Sequence, residues 1–373
     1  METKVIKLDP SKPDVSLIRE AAQIVDNGGL AAFPTDTVYG IACRVQESSL
    51  EKLNSLKGRT AEKFYTLHIG QKSDIIKYVP TLGLKAQKII KNLWPGPLTI
   101  VFELSKADIE ILRANLDKGI FDCLYRDNSI GIRCPDNLIA AMMLQMTKYP
   151  VVAPSANITG QPPSVDAEQV SAQFGDQIDV LLDGGITKYQ QSSTVVKISR
   201  AGMQILRPGV YSASELQETS EVNILFVCSG NTCRSPMAAG IFGKYLAEKL
   251  EVQLDLLEKI GYKLLSAGTL GMSGMPATAE AIAACAAKGI DISSHRSTGL
   301  SRQLVNESDI IFAMGRVHRQ LIASISTEAA EKCMLLADNE DVCDPIGKPQ
   351  RVYNECAERI EKAVKKRVSE LVL

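Results

Sequence analysis

The sequence has almost no net charge. Its 42 Lys and Arg residues stand against 43 Asp and Glu, a formal balance of -1, which excludes bulk electrostatic attraction to nucleic acid or an anionic membrane and leaves only local patches for such contacts. Long apolar runs are missing too. No stretch approaches the roughly 18 residues of a membrane span, and the opening METKVIKLDPSKP has no basic segment followed by an apolar core. A soluble, cytoplasmic protein without membrane contact is expected. The nine cysteines are an odd number, scattered thinly, and this spacing predicts reduced thiols rather than a disulfide scaffold. CSGNTC has no second Cys/His pair nearby to complete a zinc site, so no metal ligand is assigned.

What is present is length and alternation. At 373 residues the chain fits two domains, each able to bury its own core. In the first, residues 1–210, VIKL is followed by a helix around DVSLIREAAQIVDNGG. That helix places Leu17, Ala21, Ile24 and Val25 on one face and ends at Gly28-Gly29. LAAFPTD, LTIVFEL, IGIRC, PVVAPSA, VLLD and TVVKI read as strands, giving α/β patterning. The polar SASELQETSEV has no strong apolar period and marks a linker over 211–221. The second domain, 222–373, restarts with VNILFVC, the unbroken apolar run of a buried parallel strand. A helix from Pro236, YKLLSAG, a helix across ATAEAIAACAAKG, DIIFAMG, another helix and KCMLLAD follow, and Val352, Cys356, Ile360, Val364 and Val368 form one stripe of a terminal helix. This alternation predicts a doubly wound parallel sheet. The two halves share no repeat.

In ILFVCSGNTCRSPMAAG, Ile224 to Gly240, the loop from Cys228 to Arg234 joins a strand to a helix whose first turn accepts Pro236. Consecutive amides of Ser229, Gly230, Asn231, Thr232, Cys233 and Arg234 can converge on one tetrahedral anion, helped by the positive end of the helix dipole. The same field favours a thiolate at Cys228, which is read as a nucleophile. Arg234 can clamp two phosphoryl oxygens, Ser235 can donate to the sulfur, and Gly230 and Asn231 permit left-handed backbone. An isolated cysteine and arginine at this spacing would more simply be a strand end and a surface charge; strand, glycine, Arg-Ser-Pro and helix together favour the catalytic role.

On VCSGNTCRSPMA, SAG at 266–268 and Asp344-Pro345, the chain over about 222–373 resembles the low-molecular-weight protein tyrosine phosphatases. The resemblance implies a cysteinyl-phosphate intermediate, with Asp344 protonating the leaving group and then activating water. Cys233 is read either as a second thiol able to form a protective disulfide with Cys228 or as a packing residue. Thr232 stands where the tyrosine-directed enzymes usually carry an aliphatic residue, and Ile346 and Gly347 where they carry aromatics. Both departures look more like the protein-arginine phosphatase branch. Phosphoarginine therefore ranks slightly ahead of phosphotyrosine in a phosphorylated protein substrate, with arsenate reduction third. His295 and His318 are read as structural or exposed.

The first half carries FPTDTVYG (33–40), KGRTAEK (57–63), WPGPLT (94–99), IGIRCPDN (130–137), APSANITG (153–160), SSTVVKI (192–198) and LRPG (206–209). Singly these are ordinary loops. In this order they resemble the threonylcarbamoyl-AMP synthase family, the YrdC-like domain with its twisted mixed sheet, over about 5–210. The resemblance implies synthesis of threonylcarbamoyl adenylate from L-threonine, bicarbonate and ATP, for modification of tRNA adenosine 37, with tRNA handled by other proteins. It places Lys57, Arg59, Lys63, Ser155, Asn157 and Arg207 on ATP, with Mg2+ bridging the polyphosphate, and Thr35, His68, Arg133 and Ser193 on threonine. Thr60, Phe64 and Tyr65 depart from the family's usual prolines and Pro-Leu. The extra C-terminal domain of longer synthases is read as replaced by the phosphatase. The whole is expected to be a bifunctional fusion; the competing class is an RNA-binding YrdC-like module joined to a phosphatase, a phosphate-binding adaptor or an arsenate reductase.

Overall fold

The computed structural model describes residues 2–58, 65–199 and 202–372. They divide into two compact units, Met1–Thr219 and Ser220–Leu373.

The first unit is built on a mixed sheet. Among the described residues its strands are β1 (Lys4–Lys7), β2 (Ala31–Phe33), β3 (Gly40–Arg44), β4 (Thr66–His68), β5 (Leu98–Glu103), β6 (Ser129–Arg133), β7 (Val151–Val152), β8 (Val180–Asp183), β9 (Thr194–Ser199) and β10 (Gly202–Arg207). They lie in the order β1-β8-β2-β3-β7-β4-β6-β5-β9-β10. Helices cover both faces, so successive residues of one strand enter different cores. Leu181 packs with Leu53, Leu67 and Ile100 on one face, while its neighbours Val180 and Leu182 pack with Ile18 and Ala22 on the other. This is why VLLD reads as an unbroken apolar run. Strands β3, β4 and β10 are additions to those expected.

The helix Val15–Asp26 is capped by Asp14, whose carboxylate accepts from the Ser16 N–H at 2.8 Å. Its buried face is Ile18, Ala21, Ala22 and Val25, with Leu17 and Ile24 at the flanks. The expected stripe is thus rotated slightly, because Ile18 fills the centre. The polar stretch 211–221 contains a helix, Ala213–Ser220, held by a capping box in which Ser212 Oγ accepts from the Glu215 N–H (3.3 Å) and Glu215 accepts from the Ser212 N–H (2.8 Å). Its single apolar anchor, Leu216, is fully buried in the first unit's core.

The second unit is the expected parallel sheet, with strands β11 (Val222–Cys228), β12 (Tyr262–Gly268), β13 (Ile310–Ala313) and β14 (Cys333–Leu335) in the order β12-β11-β13-β14. Strand β11 is central, and the order reverses around it, so its carboxyl end opens at a topological switch point. Phe226, Phe242 and Phe312 join the sheet to the helix Arg234–Leu250, with ring centroids 5.2 to 5.7 Å apart. In the terminal helix Gln350–Glu370 the buried face is Tyr353, Cys356, Ala357, Ile360, Val364 and Val368. Tyr353 takes the place expected of Val352: intervals of four drift round a 3.6-residue turn, and one interval of three restores the face.

Candidate active sites

In the first unit, Thr35, Lys57, His68, Arg133, Ser155, Asn157, Ser193 and Arg207 line one cavity of about 340 Å3. Arg59 and Lys63 lie outside the described residues. The sheet makes the convergence: His68 and Arg133 end the parallel strands β4 and β6 in register, and Thr99 pairs with Arg133 across antiparallel β5. Ser193 immediately precedes β9, and Arg207 ends β10. A Cβ at Gly209 would lie 2.4 Å from the Ser192 carbonyl oxygen and the Thr194 nitrogen. Only glycine lets this backbone close on Ser193. Arg207 Nη2 then donates to the Ser193 carbonyl (2.8 Å) and hydroxyl (3.0 Å), and that hydroxyl meets Thr99 Oγ1 at 3.0 Å.

The charges here are held by burial. Arg133 Nη2 donates to Asp36 Oδ1 at 2.5 Å, with both side chains almost fully enclosed. Asp36 is absent from the residues singled out by sequence; it sits in the FPTDTVYG turn but points to Arg133 rather than lining the cavity. Lys57 is buried and directs two donors to the Ser155 and Asn157 carbonyls, each at 2.5 Å. It fastens the 155–157 loop beside the cavity. Burial first, and the Arg133 charge second, push the His68 imidazole down to about 3. His68 is therefore neutral at physiological pH. Nδ1 donates to the Thr66 carbonyl at 3.1 Å, so Nε2 is an acceptor. The Thr35 hydroxyl donates to the Val38 carbonyl (2.6 Å) and accepts from the Thr37 N–H (3.1 Å), stabilising its own turn. Among the described residues no group of three or more His, Cys, Asp or Glu side chains is placed to hold a metal ion.

In the second unit the loop after β11 surrounds the Cys228 sulfur with donors. The Asn231 N–H donates to Sγ at 3.2 Å, and Ser235 Oγ lies 3.0 Å away. Asn231 Nδ2 donates to Ser235 Oγ at 2.8 Å, which leaves the Ser235 proton directed to sulfur. Asn231 is fully buried at φ 55° and also binds Ser266 Oγ (2.8 Å) and the Thr298 N–H (2.7 Å). Gly268 packs beneath: a Cβ there would come within 2.7 Å of the Ser229 carbonyl. Arg234 donates to the Val342 carbonyl (3.1 Å) and to Ser229 Oγ (3.2 Å), and forms an ion pair with Asp344. Cys228, Arg234 and Asp344 are thus assembled at one sheet end. Cys233 is buried, its sulfur 3.5 Å from the Tyr353 hydroxyl and 3.6 Å from Thr278 Oγ1. Thr232 is half-buried at the loop's edge, and its carbonyl accepts from the Thr278 N–H at 3.0 Å.

The two histidines expected to be structural or exposed both make contacts that hold this loop. His295 Nε2 donates to the Asn231 carbonyl at 2.7 Å, and His318 Nε2 lies 3.0 Å from Ser229 Oγ. Burial, then the Arg234 charge, lowers His318 from its ordinary value. Neither contact has a signal in local sequence, because both partners are at least 64 residues away.

The Sua5/YciO/YrdC family model, described as telomere recombination, matches residues 23–209, and the low molecular weight phosphotyrosine protein phosphatase model matches residues 223–372. The chain belongs to the Sua5/YciO/YrdC family. It is a fusion, with a phosphatase-family domain in its second unit. The chain is 30% identical over 237 residues to the threonylcarbamoyl-AMP synthase of Pyrococcus abyssi, covering 63% of this chain and 66% of that protein. It is 28% identical over 201 residues to the threonylcarbamoyl-AMP synthase of Bacillus subtilis, covering 54 and 55%. The chain therefore spans between half and two thirds of these synthases' length. The crystal structure of P. abyssi Sua5 complexed with L-threonine aligns with a TM-score of 0.51 at 20% identity, over 97% of this chain and 98% of that one, a likeness of fold. The expected fold class, a YrdC-like mixed sheet followed by a parallel-sheet phosphatase domain, is the one present.

Proposed function

We propose that the Sua5/YrdC unit makes L-threonylcarbamoyladenylate from L-threonine, bicarbonate and ATP, releasing pyrophosphate. The supporting observation is the single cavity that gathers cationic, hydroxyl, amide and imidazole groups from five strand ends, together with the synthases it resembles. A small hydroxy amino acid needs such partners, since an unpaired polar group in a closed site is costly. In this assignment Arg133, fixed by Asp36, supplies positive charge for the threonine carboxylate, and the neutral His68 Nε2 accepts a hydrogen bond from threonine. Ser155, Asn157 and Arg207 take the nucleotide, with Lys57 setting the 155–157 loop. Chemistry is then mostly positioning of threonine carbamate against the α-phosphate, without a protein nucleophile. Mg2+ belongs to this assignment as part of the nucleotide substrate. The product serves tRNA N6-threonylcarbamoyladenosine formation through other proteins. Pyrophosphate release that requires threonine, bicarbonate and ATP together is the test; release without threonine overturns the threonine assignment, and RNA binding with no release favours the RNA-binding alternative.

We infer for the second unit a cysteine phosphatase in which Cys228 attacks phosphorus, the loop amides and Arg234 hold the phosphoryl oxygens, and Asp344 gives a proton to the leaving group. Water then attacks phosphocysteine, with Asp344 taking the proton back. The donor ring around Sγ supports a thiolate there. Thr232 and the absence of aromatic side chains at Ile346 and Gly347 favour phosphoarginine over phosphotyrosine. Peptides carrying either group, compared side by side with Cys228→Ser as control, decide the substrate; arsenate reduction with neither hydrolysed overturns this assignment.

A further inference from the structure

His318 has no part in the reaction as assigned above, yet it is only 6% exposed, on the helix Arg316–Ala323 beside the phosphate loop. Its Nε2 lies 3.0 Å from Ser229 Oγ, and its buried Nδ1 has no hydrogen-bond partner among the described residues. An orphaned buried donor is rarer than an orphaned acceptor, so the ring proton sits on Nε2 and is donated to the hydroxyl. Ser229 Oγ also accepts from Arg234 Nη2 at 3.2 Å. Donors from two different helices thus pin one hydroxyl. The charges that face the imidazole are Arg234, Asp341 and Asp344. Arg234 itself holds three groups: Nη1 donates to the Val342 carbonyl at 3.1 Å, Nη2 donates to Ser229 Oγ, and Nη2 pairs with Asp344. Two of these partners are neutral and one is charged. The reaction requires the charged one to let go, because Asp344 has to carry a proton before it can give one, and an adjacent guanidinium favours the carboxylate. A phosphoryl dianion entering the loop competes with Asp344 for Nη2. Val342 and Ser229 then fix the plane of the fork, and Ser229 does so on the Nη2 side.

We propose that His318 is a positioning residue for phosphoryl transfer: acting through Ser229, it keeps Arg234 turned to the loop, so that Asp344 can part from the guanidinium and serve as the acid. This rests on the phosphatase assignment above. Without the imidazole the Ser229 hydroxyl turns freely, and Arg234 Nη2 is left to Asp344, whose carboxylate stays paired and ionised. A hydrogen bond to a charged group, lost in this way, corresponds to about a ten- to hundredfold change. The loss falls on the step that needs the acid, so a poor leaving group feels it more than a good one.

The experiment uses the full chain and two substrates, phenyl phosphate with its poor leaving group and p-nitrophenyl phosphate with its good one. In His318→Leu, kcat/KM for phenyl phosphate should fall about ten- to hundredfold and that for p-nitrophenyl phosphate only about threefold. His318→Gln, whose amide can donate from nearly the same place, should restore phenyl phosphate turnover to within about threefold of wild type. Ser229→Ala should show the same split between substrates, and adding His318→Leu to it should cost nothing more, because the histidine acts through that hydroxyl. Alkylation of Cys228 by iodoacetamide should keep its wild-type pH dependence in every variant, since the Asn231 and Ser235 donors to sulfur are untouched. Equal falls on both substrates with a displaced alkylation profile, additive effects in the double variant, or no rescue by glutamine each overturn the positioning role and leave the phosphatase assignment standing. If His318→Leu does not fold, Ser229→Ala decides: the split supports the role and its absence overturns it. Wild-type protein that hydrolyses neither ester and forms no phosphocysteine sinks both readings.

Discussion

Replacing Asn231 by alanine tests whether the shape of the phosphate loop is held by one side chain. Asn231 is fully buried at φ 55°, with Nδ2 on Ser235 and Ser266 and Oδ1 on the Thr298 N–H, at 2.8, 2.8 and 2.7 Å. Three such bonds contribute about 1 kcal/mol each. Alanine adds about 1–2 kcal/mol of left-handed backbone strain that asparagine tolerates better. The loop's preference for its anion-binding form therefore weakens by roughly 4–5 kcal/mol at most, the equivalent of about three decades in population at 1.4 kcal/mol per tenfold. The expected fall in kcat/KM for p-nitrophenyl phosphate is about 100- to 1000-fold, with vanadate affinity falling alongside. Asn231→Gly separates the two contributions, because glycine removes the bonds but not the freedom to take positive φ. It should lie about five- to thirtyfold above the alanine variant and still below wild type. Alanine within a factor of about three of wild type refutes the hub; full recovery by glycine refutes the role of the hydrogen bonds.

Two predictions concern the Sua5/YrdC unit. His68, lowered from 6.5 to about 3 in the fold, contributes stability that is fully present above its unfolded value and is lost as pH falls from 6.5 toward 3. That loss is about 2 kcal/mol by pH 5, and His68→Gln should flatten this part of the unfolding curve, measured on the transition that ATP or threonine shifts. A curve with the same slope in the variant shows that His68 is not the group responsible. Lys57→Met removes the cation from both carbonyls; the Ser155 oxygen keeps the Asn157 N–H at 2.9 Å, while the buried Asn157 oxygen loses its lysine donor at about 1–3 kcal/mol. It should raise KM for ATP more than KM for threonine in the pyrophosphate assay; equal effects on both mean that the lysine supports the unit generally.

The sequence by itself determined the two-unit organisation, most of the residues that gather at each candidate site and most of the strands. Local patterns carry these: VNILFVC is buried on both faces and reads as an apolar run, and CSGNTCRSP sets strand, turn and helix within a dozen residues. It also named residues that meet only through the sheet, such as His68 and Arg133, through an ordered series of motifs rather than their spacing. The helix Ala213–Ser220 was hidden because a capping box and one leucine anchor it, too little for periodicity to register. What tertiary structure alone decided is which groups are engaged and which stand free. Lys57 looks like a phosphate ligand in KGRTAEK, yet the 155–157 loop, 98 to 100 positions away, takes two of its donors on backbone carbonyls. Asp36 looks like a turn residue until Arg133, 97 positions away, meets it with both side chains buried. Hydrogen bonds and burial act across space, and for long-range partners sequence distance carries no information about them.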